Sequence, residues 1–237
     1  MSKIRIHIEP SQIGDFIKIA DMGVVHKLKH VLRLSEGDSV FVFDGMGKEY
    51  SAEIKYLQHD SLTLRLGEMA RSEAVPGARI DLIFPLTKEE KVDMILQKCT
   101  ELGVSGFYPF VANRGLKIHP SDSKFERWNN IVIEAARQSE RLWLPVLHPP
   151  VSLDKVVTQH YDKKLFGDFS GSRFEEMGLN RCASILLAVG PEGDFSDEEK
   201  KNLILNGFFA VNAGKNILRL ETAAIFITGL TSYFLNK

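Results

Sequence analysis

The sequence predicts an α/β protein in which a small N-terminal β-barrel precedes a larger domain built on a parallel sheet. Three features carry that prediction: closely spaced alternating apolar segments up to about residue 70, a Pro- and Gly-bearing break at 71–77, and compact apolar runs separated by longer helical patterns from Ala78 onward.

In the first part, Ile4 to Ile8 alternates apolar and polar side chains, as does Leu62 to Leu66. Ser39 to Phe43 and Lys48 to Ile54 flank Asp44-Gly45-Met46-Gly47, a hairpin turn signal. Between them, Asp21 to Leu34 predicts a helix, because Val24, Val25, Leu28, Val31 and Leu32 form one apolar stripe. Its other face carries His26, Lys27, Lys29, His30 and Arg33. The break at Arg71 to Gly77 places the domain boundary between residues 72 and 73, giving domains 1–72 and 73–237.

In the second part, the runs Ile80 to Phe84, Phe107 to Val111, Leu165 to Phe169, Ile185 to Val189 and Phe208 to Val211 predict strands buried on both faces. Thr87 to Glu90, Ser123 to Glu126 and Ser196 to Glu199 each have the Ser/Thr-x-x-Glu spacing of a capping box, and Gly103 and Gly207 mark helix ends. A helix over Phe125 to Leu142 buries Trp128, Ile131, Val132, Ala135 and Ala136, while Glu134, Arg137, Gln138 and Arg141 form a polar stripe at i, i+3, i+4 and i+7. The last helix, Glu221 to Leu235, is apolar on nearly every side, so it is either central or covered by a second copy of the chain.

Thirty Lys and Arg balance 31 Asp and Glu, which argues against indiscriminate coating of nucleic acid but permits a local basic face. Cys99 and Cys182 are too far apart in sequence to supply a zinc or disulfide framework, and neither histidines nor carboxylates show metal-ligand spacing. With no apolar leader and no run near the roughly 20 residues of a membrane span, a cytoplasmic protein with no membrane association and no metal is expected.

Two segments carry the candidate chemistry. The run Ile185 to Val189 leads into Gly190-Pro191-Glu192-Gly193-Asp194-Phe195-Ser196, a strand, a turn and a capped helix; ligands of open α/β sheets bind beyond such carboxyl ends. Taken alone, the string also serves as a plain tight connection, and it is neither a Walker loop nor GxGxxG. Val211 to Ala224 repeats the order strand, Gly214-bearing loop, helix, and parallel strands open both loops on the same edge. Arg219 and Glu221 stand at that helix entry, where an ion pair or a cap is the alternative to a catalytic role.

Together, GPEG followed by Phe-Ser and Gly-x-x-Ile-Leu-Arg-x-Glu-Thr-Ala resemble the RsmE family, the uridine N3-methyltransferases of small-subunit ribosomal RNA within the SPOUT superfamily. The likeness extends to Val31-Leu32-Arg33, Gly37-Asp38, Lys98 to Val104, and Glu134 to Arg141 with Pro145, in order along nearly the whole chain. It departs from the usual pattern at Asp194, where a second Gly is customary, and at Ala213, where a Leu is. The resemblance implies a PUA-like N-terminal RNA-binding barrel, a SPOUT-type domain with a trefoil knot, and a homodimer. It also implies S-adenosyl-L-methionine as cofactor and 16S rRNA, within the small ribosomal subunit, as substrate, with uridine 1498 of the bacterial reference as target. By the same likeness, Gly167, Gly190, Pro191, Glu192, Gly193, Gly214, Ile217 and Leu218 carry the cofactor.

Removing the uridine N3 proton leaves negative charge on O2 and O4. Arg219 is therefore the candidate to stabilise that charge, and Glu221 is either a general base or the partner that holds Arg219. N3 is occupied in a paired base, so the target must be single-stranded or flipped. In this context Arg137, Gln138 and Arg141 become candidate RNA contacts, and Gln97, Lys98 and Glu101 are further candidates, with a capped amphipathic helix as their alternative reading. Arg5, Lys27, Lys29 and Arg33, with His26 and His30, form the barrel's candidate RNA face, and Lys215 is a further candidate from the cofactor loop; solubilising charge is the alternative for scattered cations. The competing function is a non-catalytic RNA-binding factor in ribosome assembly.

Overall fold

The computed structural model describes residues 3–112 and 120–235, which form two compact units: Met1–Val75 with Arg137–Leu144, and Pro76–Ala136 with Pro145–Lys237.

The first unit holds β1 (Arg5–His7), β2 (Phe16–Ile19), α1 (Met22–His26), β3 (Ser39–Phe43), β4 (Lys48–Leu57) and β5 (Leu62–Ser72). Its sheet runs β1-β3-β4-β5-β2, with β1 parallel to β3 and the other pairs antiparallel. The predicted alternation is realised, since Ile6, Val40, Val42, Ile54 and Leu64 all face one core. Val25 and Leu28 of the predicted stripe join it. Val31 and Leu32 do not: they are 64% and 38% exposed. Asp21 caps α1 by accepting from the N–H groups of Gly23 and Val24, but Lys27–Val31 then forms a π-helical turn in which Leu32 N–H reaches the Lys27 carbonyl at 2.9 Å. The extra residue rotates everything beyond it by roughly 100°, carrying the end of the stripe to the surface.

Arg5 explains why Arg137–Leu144 belongs to this unit. Its side chain is buried, its Nε donates to Glu49 Oε1 at 2.5 Å, and its terminal nitrogens donate to the carbonyls of Arg137 (3.1 Å) and Arg141 (3.0 Å). Gly47 N–H bonds to the Leu142 carbonyl, Leu144 N–H to the Gly45 carbonyl, and Trp143 Nε1 to the Ala74 carbonyl.

The second unit comprises β6 (Arg79–Pro85), α2 (Glu89–Glu101), β7 (Gly106–Phe110), α3 (Asp122–Gln138, whose last two residues pack with the first unit), β8 (Val146–Leu147), α4 (Leu153–Val157), β9 (Lys163–Ser172), β10 (Ser184–Ala188), α5 (Asp197–Leu205), β11 (Phe208–Val211) and α6 (Leu220–Leu235). The sheet is parallel throughout, in the order β11-β9-β10-β6-β7-β8. Successive residues of one strand enter two different cores: Leu82 and Phe84 pack with Leu96, Phe107 and Ile227, whereas Ile83 packs with Phe110, Phe166 and Leu203. Both faces are therefore covered, as the unbroken apolar runs require, and each full burial contributes about 1.5–3 kcal/mol.

The helix starts are only partly those the spacing predicts. Ser196 and Glu199 complete a reciprocal capping box, with bonds of 3.2 and 2.8 Å. At α2, however, Lys88 occupies the cap with extended backbone, which puts Thr87 one residue too early to bond the first turn. At α3 the hydroxyl of Ser121, not Ser123, accepts from Lys124 N–H. Gly103 and Gly207 end their helices with φ of +100° and +84°. Helix α3 stops at Gln138, and Glu140 adopts a φ of +57°, so Arg141 lies past the helix and does not extend the polar stripe.

Candidate functional site

Because β6, β9, β10 and β11 are parallel, their carboxyl ends lie on one edge, and Gly167–Phe169 of β9 with the loops beyond β10 and β11 enclose a cavity of about 740 Å³. That volume suits a cofactor-sized ligand. All eight residues assigned to the cofactor line it: Gly167, Gly190, Pro191, Glu192, Gly193, Gly214, Ile217 and Leu218. Arg219 lines it as well, and Val189, Leu220 and Ile227, all buried, form an apolar wall.

Backbone conformation keeps the cavity open. Gly214 has a φ of +120°, a conformation other residues adopt only with strain, and its N–H donates to Asn212 Oδ1 at 2.7 Å. A Cβ built on Gly167, Gly193 or Gly214 would meet no atom within 4 Å, so the space beside each main chain is vacant of protein. Among the described residues, the N–H groups of Glu192, Gly193, Ile217 and Leu218 donate to no other protein group, which leaves them to a ligand or solvent. Asp194, at the customary Gly position, takes up a φ of +63°, a left-handed conformation that Asp tolerates better than most residues.

Charged groups tie the walls together. Lys91 of α2 pairs with Glu192 on the β10 loop and lies 3.7 Å from Glu221 Oε2 on α6. The hydrogen bond from Lys91 holds the Glu192 carboxyl below its usual range, and the same bond raises Lys91. Lys200 of α5 donates to Asp168 Oδ2 at 2.6 Å and to Asp194 Oδ2 at 2.7 Å. Burial opposes ionisation of Asp168, but the hydrogen bonds from Lys200 and Ser170 outweigh it and hold the carboxyl at about 2. Arg219 is exposed at the lip; its carbonyl accepts from Ala223 N–H, but among the described residues its side chain makes no hydrogen bond or ion pair.

Glu221 is buried beside the cavity, and its ion partner is Lys91, not Arg219. The alternative in which Glu221 holds Arg219 is thus not realised, because Lys91 reaches the carboxylate first from the neighbouring helix.

The RNA candidates separate by burial. Arg33 is exposed, with a φ of +56°, Lys27 and Lys29 are half-buried, and the rings of His26 and His30 lie 4.9 Å apart. Arg5 is corrected: at 3% exposure its charge is spent on Glu49 and two carbonyls, and it presents nothing to RNA. Arg141 is half-buried, and burial lowers its guanidinium to about 10 despite the charge of Glu73. Gln138 is exposed and Arg137 half-buried at the end of α3. Lys98 pairs with Glu101 at 2.9 Å on the surface of α2.

Lys91, Asp168, Asn216 and the wall-binding Lys200 are absent from the sequence expectation. Asp168 carries a weak signal, a carboxylate directly after Gly167 at the end of an apolar run; the two lysines sit in ordinary charged helix starts and carry none.

Comparison with known proteins gives the same direction. Residues 75–232 match a family model described as an RNA methyltransferase domain, and residues 24–67 one described as an RNA methyltransferase PUA domain. The chain is 35% identical over 226 residues to ribosomal RNA small subunit methyltransferase E of Synechocystis sp., covering 92% of this chain and 74% of that one. It is 29% identical over 222 residues to the Bacillus subtilis protein of the same name, covering 88% and 87%. Among solved structures, a Legionella pneumophila protein described as a methyltransferase in complex with S-adenosylmethionine superposes with a TM-score of 0.90 at 28% identity, over 98% of each chain. Ribosomal RNA small subunit methyltransferase E of Neisseria gonorrhoeae, bound to S-adenosyl methionine, gives 0.87 at 25% identity, again over 98% of each. With a family model spanning more than half its length and a relative at 35% identity, this chain belongs to the ribosomal RNA small subunit methyltransferase E family.

Proposed function

We propose that this chain is an S-adenosylmethionine-dependent ribosomal RNA methyltransferase that modifies N3 of one uridine, the equivalent of uridine 1498, in the small subunit. The observation that carries the proposal is the convergence on one cavity of all eight residues assigned to the cofactor, together with Arg219.

The residues present fit that cofactor. Vacant space beside Gly167, Gly193 and Gly214 admits a flat ring close to the main chain, and the uncommitted N–H groups of Ile217 and Leu218 can read ring nitrogens. Glu192, although paired with Lys91, places a carboxylate on the cavity rim toward a cationic ligand. When bound, the cofactor supplies a methyl group on an electrophilic sulfonium. The chain's own task is alignment and charge stabilisation: the Gly190–Gly193 and Gly214–Leu218 loops would hold the donor, and Arg219, whose side chain is unpaired at the lip, would stabilise the negative charge left on the uracil oxygens once the N3 proton has passed to solvent at the open lip. Glu221, buried and 3.7 Å from Lys91, fixes the wall behind it.

The exposed His30 and Arg33, with the half-buried Lys29, are assigned to RNA docking, consistent with the PUA match over 24–67. Phe226 and Tyr233, 43% and 61% exposed on α6, are assigned to the contact between two copies, and the C-terminal segment to a trefoil knot. A cytoplasmic location follows from a ribosomal substrate.

The test is transfer of labelled methyl groups to purified small subunits and to free rRNA, followed by mass mapping. Label on N3 of a single uridine supports the proposal. Absence of both transfer and saturable calorimetric binding of S-adenosylmethionine would instead identify an assembly factor without catalysis.

A further inference from the structure

We propose that Lys200 is a positioning residue, a latch that ties two walls of the cavity together before any ligand arrives and so sets cofactor affinity. The inference rests on the cofactor reading of the cavity given above.

Lys200 does not line the cavity, but both of its partners do. Asp168 belongs to β9 and Asp194 to the loop leaving β10, so one ammonium with bonds of 2.6 and 2.7 Å joins two separate segments of chain. Neither carboxylate is left to contact a ligand strongly. Asp168 Oδ1 already accepts from the Ser170 N–H (2.8 Å) and hydroxyl (2.6 Å), and Asp194 Oδ1 accepts from Phe195 N–H (2.7 Å). Both oxygens of each aspartate are therefore engaged by internal bonds, which is the pattern of a fastening. The lysine itself is anchored, because it sits in the first turns of α5, whose start the Ser196–Glu199 capping box fixes. The loop it fastens contains Glu192 and Gly193, whose N–H groups have no protein acceptor among the described residues; the Asp194 N–H closes the turn onto the Pro191 carbonyl at 2.9 Å, so the turn is bonded to itself and Lys200 ties it to β9. Holding that loop in its ligand-bound shape removes an ordering cost from binding.

The experiment compares wild type with Lys200→Met by hydrogen exchange of the 190–195 amides in the ligand-free protein, by calorimetry with S-adenosylmethionine, and by turnover at saturating cofactor. The expected result is faster loop exchange and an affinity weakened by about tenfold, the size of one lost charge-assisted hydrogen bond, with kcat unchanged. Asp194→Gly, which keeps the left-handed backbone without strain and removes one leg, should show a smaller loss of the same kind; it carries the test if Lys200→Met fails to fold. Unchanged exchange and unchanged affinity in both variants would overturn the latch. A wild type that takes up no S-adenosylmethionine, with faster exchange in Lys200→Met, would overturn the cofactor reading and the affinity claim with it, while upholding the tie between the walls.

Discussion

Lys91 Nζ stands 3.7 Å from Glu221 Oε2, and that oxygen, although buried, accepts no hydrogen bond from the protein. The pair joins α2 to the first turn of α6, and through Glu192 it reaches the β10 loop as well. Removing one partner leaves the other charge uncompensated in a partly dry place. Lys91→Met is expected to lower the unfolding free energy by about 1–2 kcal/mol, less than for a fully buried pair because water still reaches the lysine. Denaturant titration of Lys91→Met, Glu221→Gln and the double variant checks this: the double variant should recover most of the loss, and strict additivity would show that the two groups do not interact.

How far this site was readable from sequence follows from which links are local. The strands, the Ser196 cap and the glycine loops are written in short-range patterns, so the cavity's floor and rims follow directly. Lys91 and Lys200 act through partners about 100 and 30 residues away, and no local periodicity marks such pairings. Arg5 makes the same point in reverse: a cation on an alternating strand reads as surface, and only the fold brings Glu49 and two carbonyls of a distant segment against it. The π-helical turn at Lys27–Val31 likewise breaks a stripe whose sequence period looks continuous.

Arg219 faces the cavity lip without a protein partner, so its removal should leave the fold and the cofactor loops intact. Arg219→Ala is expected to bind S-adenosylmethionine as wild type does but to transfer methyl groups on the order of 10²-fold more slowly, the usual effect of deleting a charge-stabilising donor. Calorimetry and single-turnover methyl transfer separate the two quantities; full activity would remove Arg219 from the chemistry.

The barrel cations should divide into two kinds when RNA binding is followed against salt. Lys29→Ala and Arg33→Gln alter surface charges and are each expected to reduce the slope of log K against log salt by about 1. Arg5→Met should leave that slope alone and act on stability, by about 3 kcal/mol, because Glu49 is buried beneath it. Adding Glu49→Gln to Arg5→Met should restore part of the loss. A reduced salt slope in Arg5→Met, measured where the protein is folded, would return Arg5 to the RNA face.

Asp168 gives the site a defined response to acid. Its carboxyl titrates at about 2 in the folded chain against an ordinary 3.8, so the folded state binds the proton more weakly than the unfolded one. The stabilisation is complete above about pH 4 and is lost as pH falls through 2. The stability gap between wild type and Asp168→Asn should therefore be widest above pH 4 and close toward pH 2. In a Lys200→Met background, which lacks the bond that holds the carboxyl down, the gap opened by adding Asp168→Asn should close at higher pH. Denaturation of the four proteins across this range measures it, and a gap independent of pH would mean that Asp168 titrates as it does in the unfolded chain.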